Sequence, residues 1–324
     1  MQLSDIKKLK TYYDDLVSVN DPLLKKKHIS EPLFTIKGMV NYLLYGTSFS
    51  EYAGYGFYGK SRKEKKEYMT RRYLFRFFDR YNPEDYRDRI GDKSLAVNYY
   101  SDFLNREQIT KNDGIEAFKQ FTARHPNVFI KKAVGWGGEG ARKERINSEE
   151  DAESIWDSLS DDMVVEPVIE NHRLIKEIYP NSLNTIKITT LQTKAGPEIV
   201  SGIIRFGNNS IVDNIHSGGM AAGIDIATGR IETLAIDRHF QRYSHHPETD
   251  KPITGVVIPE WERIKSLAIK ASLVTPQLRY SSWDIALTDD GPILIEGNWD
   301  AEFYMGQVLT NRGNRKRFID MLEK

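Results

Sequence analysis

The segment from residue 283 to residue 298, WDIALTDDGPILIEGN, constrains the fold most, because it predicts a β-hairpin of defined register. Two apolar runs flank Asp289-Asp290-Gly291, and glycine readily takes the left-handed conformation at the end of a three-residue loop. Such a loop places Asp284 directly opposite Glu296. A two-residue turn would shift the register and put the two carboxylates on opposite faces of the hairpin.

Opposed carboxylates predict a bound cation. Directly paired residues have Cβ atoms about 5 Å apart, and two like charges there destabilise the hairpin unless something positive lies between them. Asn298 lies two residues beyond Glu296 and therefore on the same face. Two carboxylates and an amide oxygen suit Mg²⁺ held against phosphates, so we predict metal ligands at Asp284, Glu296 and Asn298. The alternative is a solvent-facing hairpin whose acidic residues meet no metal.

The composition excludes several classes of protein. The chain has 324 residues, enough for two or three packed subdomains. No run approaches the roughly 20 apolar residues of a membrane span, and the N-terminal residues lack the apolar core of a signal peptide. Lys+Arg and Asp+Glu both number 46, so no overall charge favours nucleic acid or an anionic membrane. Without cysteine there is no disulfide, thiolate metal site or cysteine nucleophile, and we expect a cytoplasmic protein.

The pattern along the chain predicts an α+β fold with largely antiparallel sheets. Residues 6–16 and 68–78 have helical spacing, and residues 61–78 predict one amphipathic helix whose basic face is solvated or binds an anion. Residues 41–59, rich in Tyr and Gly, either pack on the core or form an aromatic substrate platform. Further strands are predicted at 128–132, 163–166, 185–191, 198–206, 219–225 and 230–235, the last two forming a hairpin around 227–229, and further helices at 148–159 and 259–273.

Two more segments predict nucleotide chemistry. Residues 128–140, VFIKKAVGWGGEG, place two lysines on a strand before a loop with four glycines, whose N–H groups can approach an anion closely. The spacing fits neither a Walker A motif nor a dinucleotide fingerprint, and a glycine-rich surface turn is the alternative. In residues 163–174, MVVEPVIENHRL, Pro167 ends a strand and predicts a hinge that could present backbone groups to a purine.

The order of these elements resembles the ATP-grasp superfamily: a strand lysine, a glycine-rich loop, a hinge with Glu, and a C-terminal hairpin with Asp and Glu-x-Asn. Four segments resemble the sugar-transfer associated ATP-grasp family more narrowly, namely residues 181–191, 205–231, 245–261 and 283–298. The resemblance runs from about Asp92 to Asn298. It implies two α+β subdomains that grip ATP between antiparallel sheets, with ATP and Mg²⁺ as cofactors. We expect a helical region at 1–90, a small subdomain with lid and hinge at 91–170, and a C-terminal subdomain with the metal site at 171–324.

The resemblance also implies roles for individual residues. Contacts to the nucleotide fall on Lys93, Lys131, Gly137, Gly138, Glu166, Val168, Ile169 and Glu170. Asn184 and Lys187 lie on the strand that faces the phosphates, and Lys187 replaces the usual Arg, keeping its charge but not its bidentate geometry. Arg205 is a third catalytic candidate, because a guanidinium suits a carboxylate or an acyl phosphate.

The sequence leaves the roles of two further groups of polar residues open. Asp213-Asn214 before Gly218-Gly219 either positions an acceptor or forms a tight turn. His245-His246 could bind a metal, but no third ligand at zinc spacing follows, and a loop with incidental histidines is the alternative.

The expected activity is that of an ATP-dependent carboxylate–amine ligase acting through an acyl phosphate. The carboxylate is expected on a small molecule or a glycan, such as a uronic acid of a surface polysaccharide, and the amine on an amino acid. Nucleic acid is not an expected partner, and assembly into a homo-oligomer is left open. One alternative is a kinase of a sugar or polyol hydroxyl on the same fold, and another is a non-catalytic nucleotide-binding subunit.

Overall fold

The computed structural model describes residues 3–135, 140–301 and 303–323. The α-helices are α1 (Leu3–Ser18), α2 (Pro22–Lys26), α3 (Glu31–Tyr45), α4 (Phe49–Gly54), α5 (Arg62–Lys65), α6 (Arg71–Tyr81), α7 (Asp88–Gly91), α8 (Lys93–Leu104), α9 (Ile115–Arg124), α10 (Glu149–Ser158), α11 (Arg173–Ile178), α12 (Trp261–Val274), α13 (Tyr304–Thr310) and α14 (Arg315–Glu323). The strands are β1 (Ile109–Thr110), β2 (Asn127–Lys132), β3 (Arg142–Arg145), β4 (Met163–Pro167), β5 (Ile186–Thr193), β6 (Gly196–Phe206), β7 (Met220–Gly223), β8 (Ala235–Asp237), β9 (Arg242–Tyr243), β10 (Tyr280–Thr288) and β11 (Gly291–Asn298).

The small sheet has the strand order β1-β4-β2-β3, and all its pairs are antiparallel. Its apolar side chains, among them Val128 and Val165, share a core with Phe118 of α9 and Ala152 of α10. Ser148 begins α10 by accepting a hydrogen bond from the Asp151 N–H, as the sequence predicts. The two helices therefore pack on the small sheet. Strand β4 of this sheet ends at Pro167, where the hinge is predicted.

The large sheet has the order β11-β10-β5-β6-β7-β8-β9 and is also antiparallel. Side chains alternate along its strands, so Ile188 and Ile285 pack toward α12 in the main core, while Lys187 and Asp284 point to the other face. The predicted α+β class with antiparallel sheets is confirmed. The alternation leaves a polar region around Lys187, Asp284 and Arg205 on the other face of the large sheet, and that region carries the site.

The N-terminal helices form a second core on the large sheet. Tyr52, Tyr55, Phe57 and Tyr58 are buried, so packing accounts for the Tyr- and Gly-rich segment 41–59. This core includes Ile203, Ala221 and Ile236 of strands β6, β7 and β8. The N-terminal region therefore shares apolar side chains with the large sheet, and the three-part division at residues 90 and 170 remains a proposal.

The prediction of one helix over residues 61–78 is wrong. Ser61 and Glu64 form a capping box that begins the short helix α5, and the chain does not become helical again until Arg71. Between the two helices Met69 is buried, and the Gln307 amide pairs with it, accepting from its N–H at 2.9 Å and donating to its carbonyl at 3.0 Å. A buried backbone satisfied by a distant side chain need not be helical, and helical spacing alone does not show this.

The predicted hairpin around residues 227–229 forms only in part. The Asp225 N–H donates to the Arg230 carbonyl, and a single bridge joins Ile224 to Ile231. The Gly223 N–H donates to the Thr233 hydroxyl at 2.8 Å, which interrupts the ladder, and β7 pairs with β8 instead. Over the described ranges, none of the helices has both the length and the apolar character needed to cross a membrane.

Candidate active site

A cleft of about 1030 Å³, its open mouth included, lies between the small sheet and the polar face of the large sheet. Its apolar lining consists of Phe129, Val168, Ile169, Leu183, Ile211, Val212 and Ile295, together with Pro167 and Ala141. Its charged lining consists of Lys93, Lys131, Lys132, Lys143, Glu166, Arg205, Asp213, Asp284 and Glu296. The lining suits a ligand with one apolar and one polyanionic part.

Asp284 and Glu296 are paired across the hairpin, as predicted, but by a different route. The turn contains two residues, Asp289-Asp290, and the prediction of a three-residue loop is wrong. A two-residue turn alone would separate the carboxylates. Ile295 is an extra residue on β11, and this β-bulge restores the register before Glu296.

Arg106 holds the bulge in place. Its guanidinium donates to the carbonyls of Leu294 at 2.6 Å and Ile295 at 2.8 Å, and to the Glu166 carboxylate at 2.9 Å. A bulge takes backbone groups out of the ladder, and a buried carbonyl needs another donor. Arg106 lies between α8 and β1, in a stretch without any sequence pattern, so nothing in the sequence indicates its role.

The first of two buried charge clusters, here called the framework cluster, consists of Arg106, Glu166 and Lys131. The Lys131 Nζ lies 2.7 Å from Glu166 Oε2. Burial by itself raises the pKa of Glu166, but the charges of Lys131 and Arg106 outweigh it and the pKa is lowered. Burial lowers the pKa of Lys131. The charge of Glu166 opposes burial only in part, because Glu166 also pairs with Arg106. The cluster therefore contains two basic residues, Lys131 and Arg106, and one acidic residue, Glu166.

The second cluster, here called the hairpin cluster, consists of Lys93, Lys187, Arg205, Asp284 and Glu296. Lys187 Nζ lies 2.5 Å from Asp284 Oδ1, an ion pair by distance whose angles are not those of a hydrogen bond. Arg205 Nη2 donates to Asp284 Oδ2 at 2.5 Å, and Lys93 Nζ lies 3.4 Å from Glu296 Oε2. Side-chain cations therefore supply the positive charge that the opposed carboxylates require.

The charges of this cluster keep the Glu296 carboxylate ionised. Burial raises the pKa of Glu296, but the surrounding cations, with Lys93 first, outweigh burial and lower the pKa to about 2. Burial by itself would lower the pKa of Arg205. The charges of its neighbours Asp213 and Asp284 outweigh burial, and the pKa is raised. A carboxylate that is charged at every physiological pH is available as a metal ligand.

The residues present fit a hard divalent cation. Asp284 and Glu296 offer carboxylate oxygens, and the buried Asn298 Nδ2 has no hydrogen-bond partner among the described residues, so the amide is free to turn its oxygen to the same face. No group of three His, Cys, Asp or Glu within the described part of the chain could hold a metal. Two carboxylates and an amide therefore leave coordination positions for phosphate oxygens, as Mg²⁺ sites at nucleotides do.

Asp213 and Asn214 both line the cleft and form a turn. The Thr185 N–H and hydroxyl donate to Asp213 Oδ2 at 2.8 and 2.6 Å, and burial raises the pKa of Asp213 although Arg205 opposes this. Asn214 Oδ1 accepts from the His216 N–H, which is an Asx turn. Gly219 is required there, because a Cβ would collide with the Asp213 carbonyl oxygen. The turn is structural, and contact with an acceptor remains a prediction.

Four predicted site residues do not line the cleft, namely Asn184, Lys187, Glu170 and Asn298. Asn184 is buried, donates to the Tyr179 carbonyl, and accepts from the Ser182 hydroxyl and the Gly207 N–H. These bonds anchor the residues that lead into β5, the strand that carries Lys187. Glu170 is exposed and pairs with Lys176 at 2.6 Å. Gly137 and Gly138 lie outside the described residues.

Packing accounts for the second histidine of the pair. His246 is fully buried, stacks on Tyr179 with ring centroids 4.6 Å apart, and its Nε2 lies 2.8 Å from the Gly207 carbonyl oxygen.

Lys143 is a residue of the cleft that the sequence does not single out. It lines the cleft, and burial lowers its pKa despite the nearby Glu170.

Comparison with known proteins gives one family match. A family described as sugar-transfer associated ATP-grasp matches residues 72–321. Similar solved structures include the ATP-grasp ligase PsnB complexed with minimal precursor, at 14% identity over 77% of this chain and 66% of that chain, with a TM-score of 0.45. The D-alanine-D-alanine ligase from Coxiella burnetii is 12% identical over 72% and 56% of the two chains, with a TM-score of 0.41. The D-cycloserine synthetase DcsG is 10% identical over 78% of each chain, with a TM-score of 0.48. Among curated proteins, none matches this sequence.

Proposed function

The chain belongs to the sugar-transfer associated ATP-grasp family, and from that premise we propose that it is an ATP-dependent carboxylate–amine ligase. The observation that carries the proposal is the cleft in which two opposed carboxylates, Asp284 and Glu296, face lysines from both sides. Opposed acids surrounded by cations are what a metal–triphosphate complex needs from a protein. The proposal locates the reaction in the cytoplasm, where ATP is available.

The hinge and the apolar lining would bind the purine. The Val168 N–H donates to the Asn127 carbonyl at 3.0 Å. The Ile169 N–H has no partner among the described residues, so it is the hinge N–H that could donate to the purine. Phe129 and Ile295 line the same cleft and offer apolar surface to the ring. The purine would therefore lie between the two sheets, as expected from the resemblance.

Lys93 and Lys131 would bind the phosphates. Both line the cleft, and each now pairs with one carboxylate, Glu296 and Glu166 respectively. Asp284, Glu296 and Asn298 would hold Mg²⁺, which when bound neutralises charge on the β- and γ-phosphates. Arg205 would bind the reacting carboxylate and stabilise charge on the transferred phosphoryl group.

Amide formation requires two displacements. A carboxylate oxygen of the substrate attacks the γ-phosphorus, the bond to the β–γ bridging oxygen breaks, and ADP leaves. The amine nitrogen then attacks the acyl carbon, the C–N bond forms, the C–O bond to phosphate breaks, and the amine proton passes to solvent. Neither step needs an enzyme nucleophile. The chain supplies positioning and fixed charge.

The substrates that we propose are a uronic acid or a related glycan carboxylate and the amine of an amino acid. A carboxylate on a sugar suits the family's description, and its charge suits Arg205. Surface-polysaccharide modification is the process in which such an amide would be made.

The test is ADP release with Mg²⁺–ATP against panels of uronic acids and amino acids, comparing wild type with Asp284→Asn and Glu296→Gln. Asp290→Asn, in the exposed turn of the same hairpin, is the matched control. ADP release should require both substrates, collapse in the two cleft variants and persist in the control. With ¹⁸O in the substrate carboxylate, one labelled oxygen should appear in phosphate. Turnover with a sugar alone, giving a stable phosphorylated sugar, would establish a kinase, and ATP binding without turnover on any panel would favour a binding subunit.

A further inference from the structure

Helix α3 has one buried side and one exposed apolar side. Phe34, Gly38 and Asn41 are buried, and Phe34 belongs to the N-terminal core. A second set of side chains lies on an arc about 100° wide at the helical spacing of 100° per residue. These are Leu33, Ile36, Val40, Leu43 and Leu44, and they are between 39% and 68% exposed. No position on that arc carries a polar residue.

A helix face that points to water is normally polar. Single exposed leucines need no explanation, whereas contiguous apolar surface marks an interaction site. Leu43 and Leu44 are the most exposed large apolar residues in the described part of the chain, at 68% and 65%. This face of α3 therefore has the character of a buried surface without being buried.

Basic residues adjoin the same end of α3. The Arg72 guanidinium donates to the carbonyls of Tyr42 and Leu43, each at 3.3 Å, which attaches the start of α6 to the end of α3. Lys65 of α5 lies with its Nζ 5.6 Å from the centre of the Tyr45 ring. Helices α5 and α6 therefore adjoin the C-terminal end of α3, where Leu43 and Leu44 lie.

Helices α5 and α6 concentrate positive charge. Residues 61–80 contain eight Lys or Arg and three Asp or Glu, in a chain whose net charge is zero. Most of these bases are exposed, among them Arg62, Lys63, Lys66, Arg71 and Arg76. The balanced overall composition therefore conceals a local cationic surface beside an apolar one.

Helix α6 adds an exposed aromatic ring. Phe75 is half exposed, and the Arg71 guanidinium lies 5.2 Å from its ring centre. We call the combined surface the α3–α6 face: the five aliphatic residues of α3, Phe75, and the basic residues of segment 61–80. Aliphatic and aromatic side chains next to Lys and Arg are the composition of surfaces that lie at a lipid headgroup boundary.

We propose that the α3–α6 face binds the surface of an anionic membrane, with the aliphatic side chains at the headgroup–acyl boundary and the basic side chains on the headgroups. A second copy of the chain would cover the apolar residues, but a symmetric contact would also bring two cationic segments together. Anionic phospholipid complements both the apolar and the basic part. The binding is peripheral and independent of the chemistry in the cleft.

The test is co-sedimentation of the full chain with phosphatidylcholine vesicles, with and without phosphatidylglycerol. Binding should require phosphatidylglycerol and weaken as salt is added, because the Lys and Arg contacts are screened. Leu43→Gln with Leu44→Gln should reduce the partition coefficient at least about tenfold, and so should Arg71→Gln with Arg76→Gln. The matched control is Lys270→Gln with Leu273→Gln, also an exposed basic and apolar pair, but on α12. It should bind within about twofold of wild type, because it leaves the proposed contacts intact.

Other outcomes would overturn the proposal. Equal binding to both kinds of vesicle, or none to either, would exclude an anionic membrane surface. Binding that needs the arginines but not the leucines would show attraction to the headgroups by charge alone and would contradict insertion of the aliphatic side chains. Self-association that disappears with the leucine pair would assign the face to a second copy. Should that pair fail to fold, Ile36→Gln, also on the exposed arc, repeats the measurement with a single change.

Discussion

The framework cluster and the hairpin cluster contain the same kinds of charged residue but hold them differently. In the framework cluster the Arg106 guanidinium is bonded to three backbone carbonyls as well as to Glu166. In the hairpin cluster the ionic contacts of Asp284 and Glu296 are to the side chains of Lys93, Lys187 and Arg205. Backbone contacts fix Arg106 in place, whereas side-chain ion pairs can be exchanged for contacts to a ligand.

The difference separates stability from function. Removing one partner of a buried ion pair leaves an uncompensated charge and destabilises the fold, while exchanging it for another charge need not. We therefore expect changes in the framework cluster to act mainly on folding and changes in the hairpin cluster mainly on turnover. Substitutions at Arg106, Glu296, Lys131 and Glu170, measured by unfolding, turnover and nucleotide affinity, test that separation.

The largest effect is expected at Arg106. Arg106→Met leaves Glu166 with one cation and the bulge carbonyls without donors, and should lower the free energy of unfolding by about 3–5 kcal/mol. Arg106→Lys keeps the charge and should recover part of the loss. Denaturant unfolding measures both. Unchanged stability in the Met variant would show that the framework cluster does not hold the hairpin.

The next effect is expected at Glu296. Glu296→Gln keeps the shape of the side chain but removes a charge whose pKa is lowered to about 2. Steady-state ADP release should fall about 10²- to 10³-fold, the usual cost of removing one electrostatic contact to a transition state. The unfolding midpoint should move less than that of Arg106→Met. A stability loss as large as the loss of turnover would place Glu296 in the framework instead.

A smaller effect is expected at Lys131, which belongs to the framework cluster but lines the cleft. Lys131→Gln should weaken binding of a non-hydrolysable ATP analogue about 10- to 100-fold, the value of one charge-assisted contact. Because its pKa is lowered, Lys131 is protonated at low pH and loses its proton below the pH at which an ordinary lysine does. Affinity should therefore fall on the alkaline side before pH 10.5, the ordinary lysine value. In Lys131→Arg that fall should move to higher pH, and an identical pH profile would remove Lys131 from the phosphate site.

The smallest effect is expected at Glu170, which lies in neither cluster. Its side chain is 71% exposed and pairs with Lys176. Surface pairs contribute little, so Glu170→Gln should change nucleotide affinity and stability by less than about twofold. A tenfold loss of affinity would support the expected contact of Glu170 with the nucleotide.

The hairpin cluster was more predictable from sequence than the framework cluster because its geometry is largely local. Alternation and a turn predicted the pairing of Asp284 with Glu296, although the turn is one residue shorter than expected. The bulge at Ile295 compensates, and its donor Arg106 is 189 residues earlier in the chain. No local pattern shows so distant a contact. Gln307, which interrupts the predicted helix at Met69, is 238 residues away and equally hidden from a local pattern.

The family resemblance predicted residues better than their contacts. It assigned Lys93 and Lys131 to the nucleotide, and both line the cleft, but it did not indicate their pairing with Glu296 and Glu166. Asn184 fits the expected motif, yet its amide is bonded entirely within the fold. A motif position fixes the strand, whereas the direction of a side chain depends on partners elsewhere in the chain.

We propose that Asp284 and Glu296 hold Mg²⁺ against a nucleotide, and calorimetric titration tests this without a known substrate. Affinity for a non-hydrolysable ATP analogue is measured with and without Mg²⁺, in wild type and in Glu296→Gln. We expect Mg²⁺ to tighten binding about tenfold or more in wild type and hardly at all in the variant, because the metal loses a ligand. An equal gain in both proteins would contradict it and remove the hairpin from the metal site.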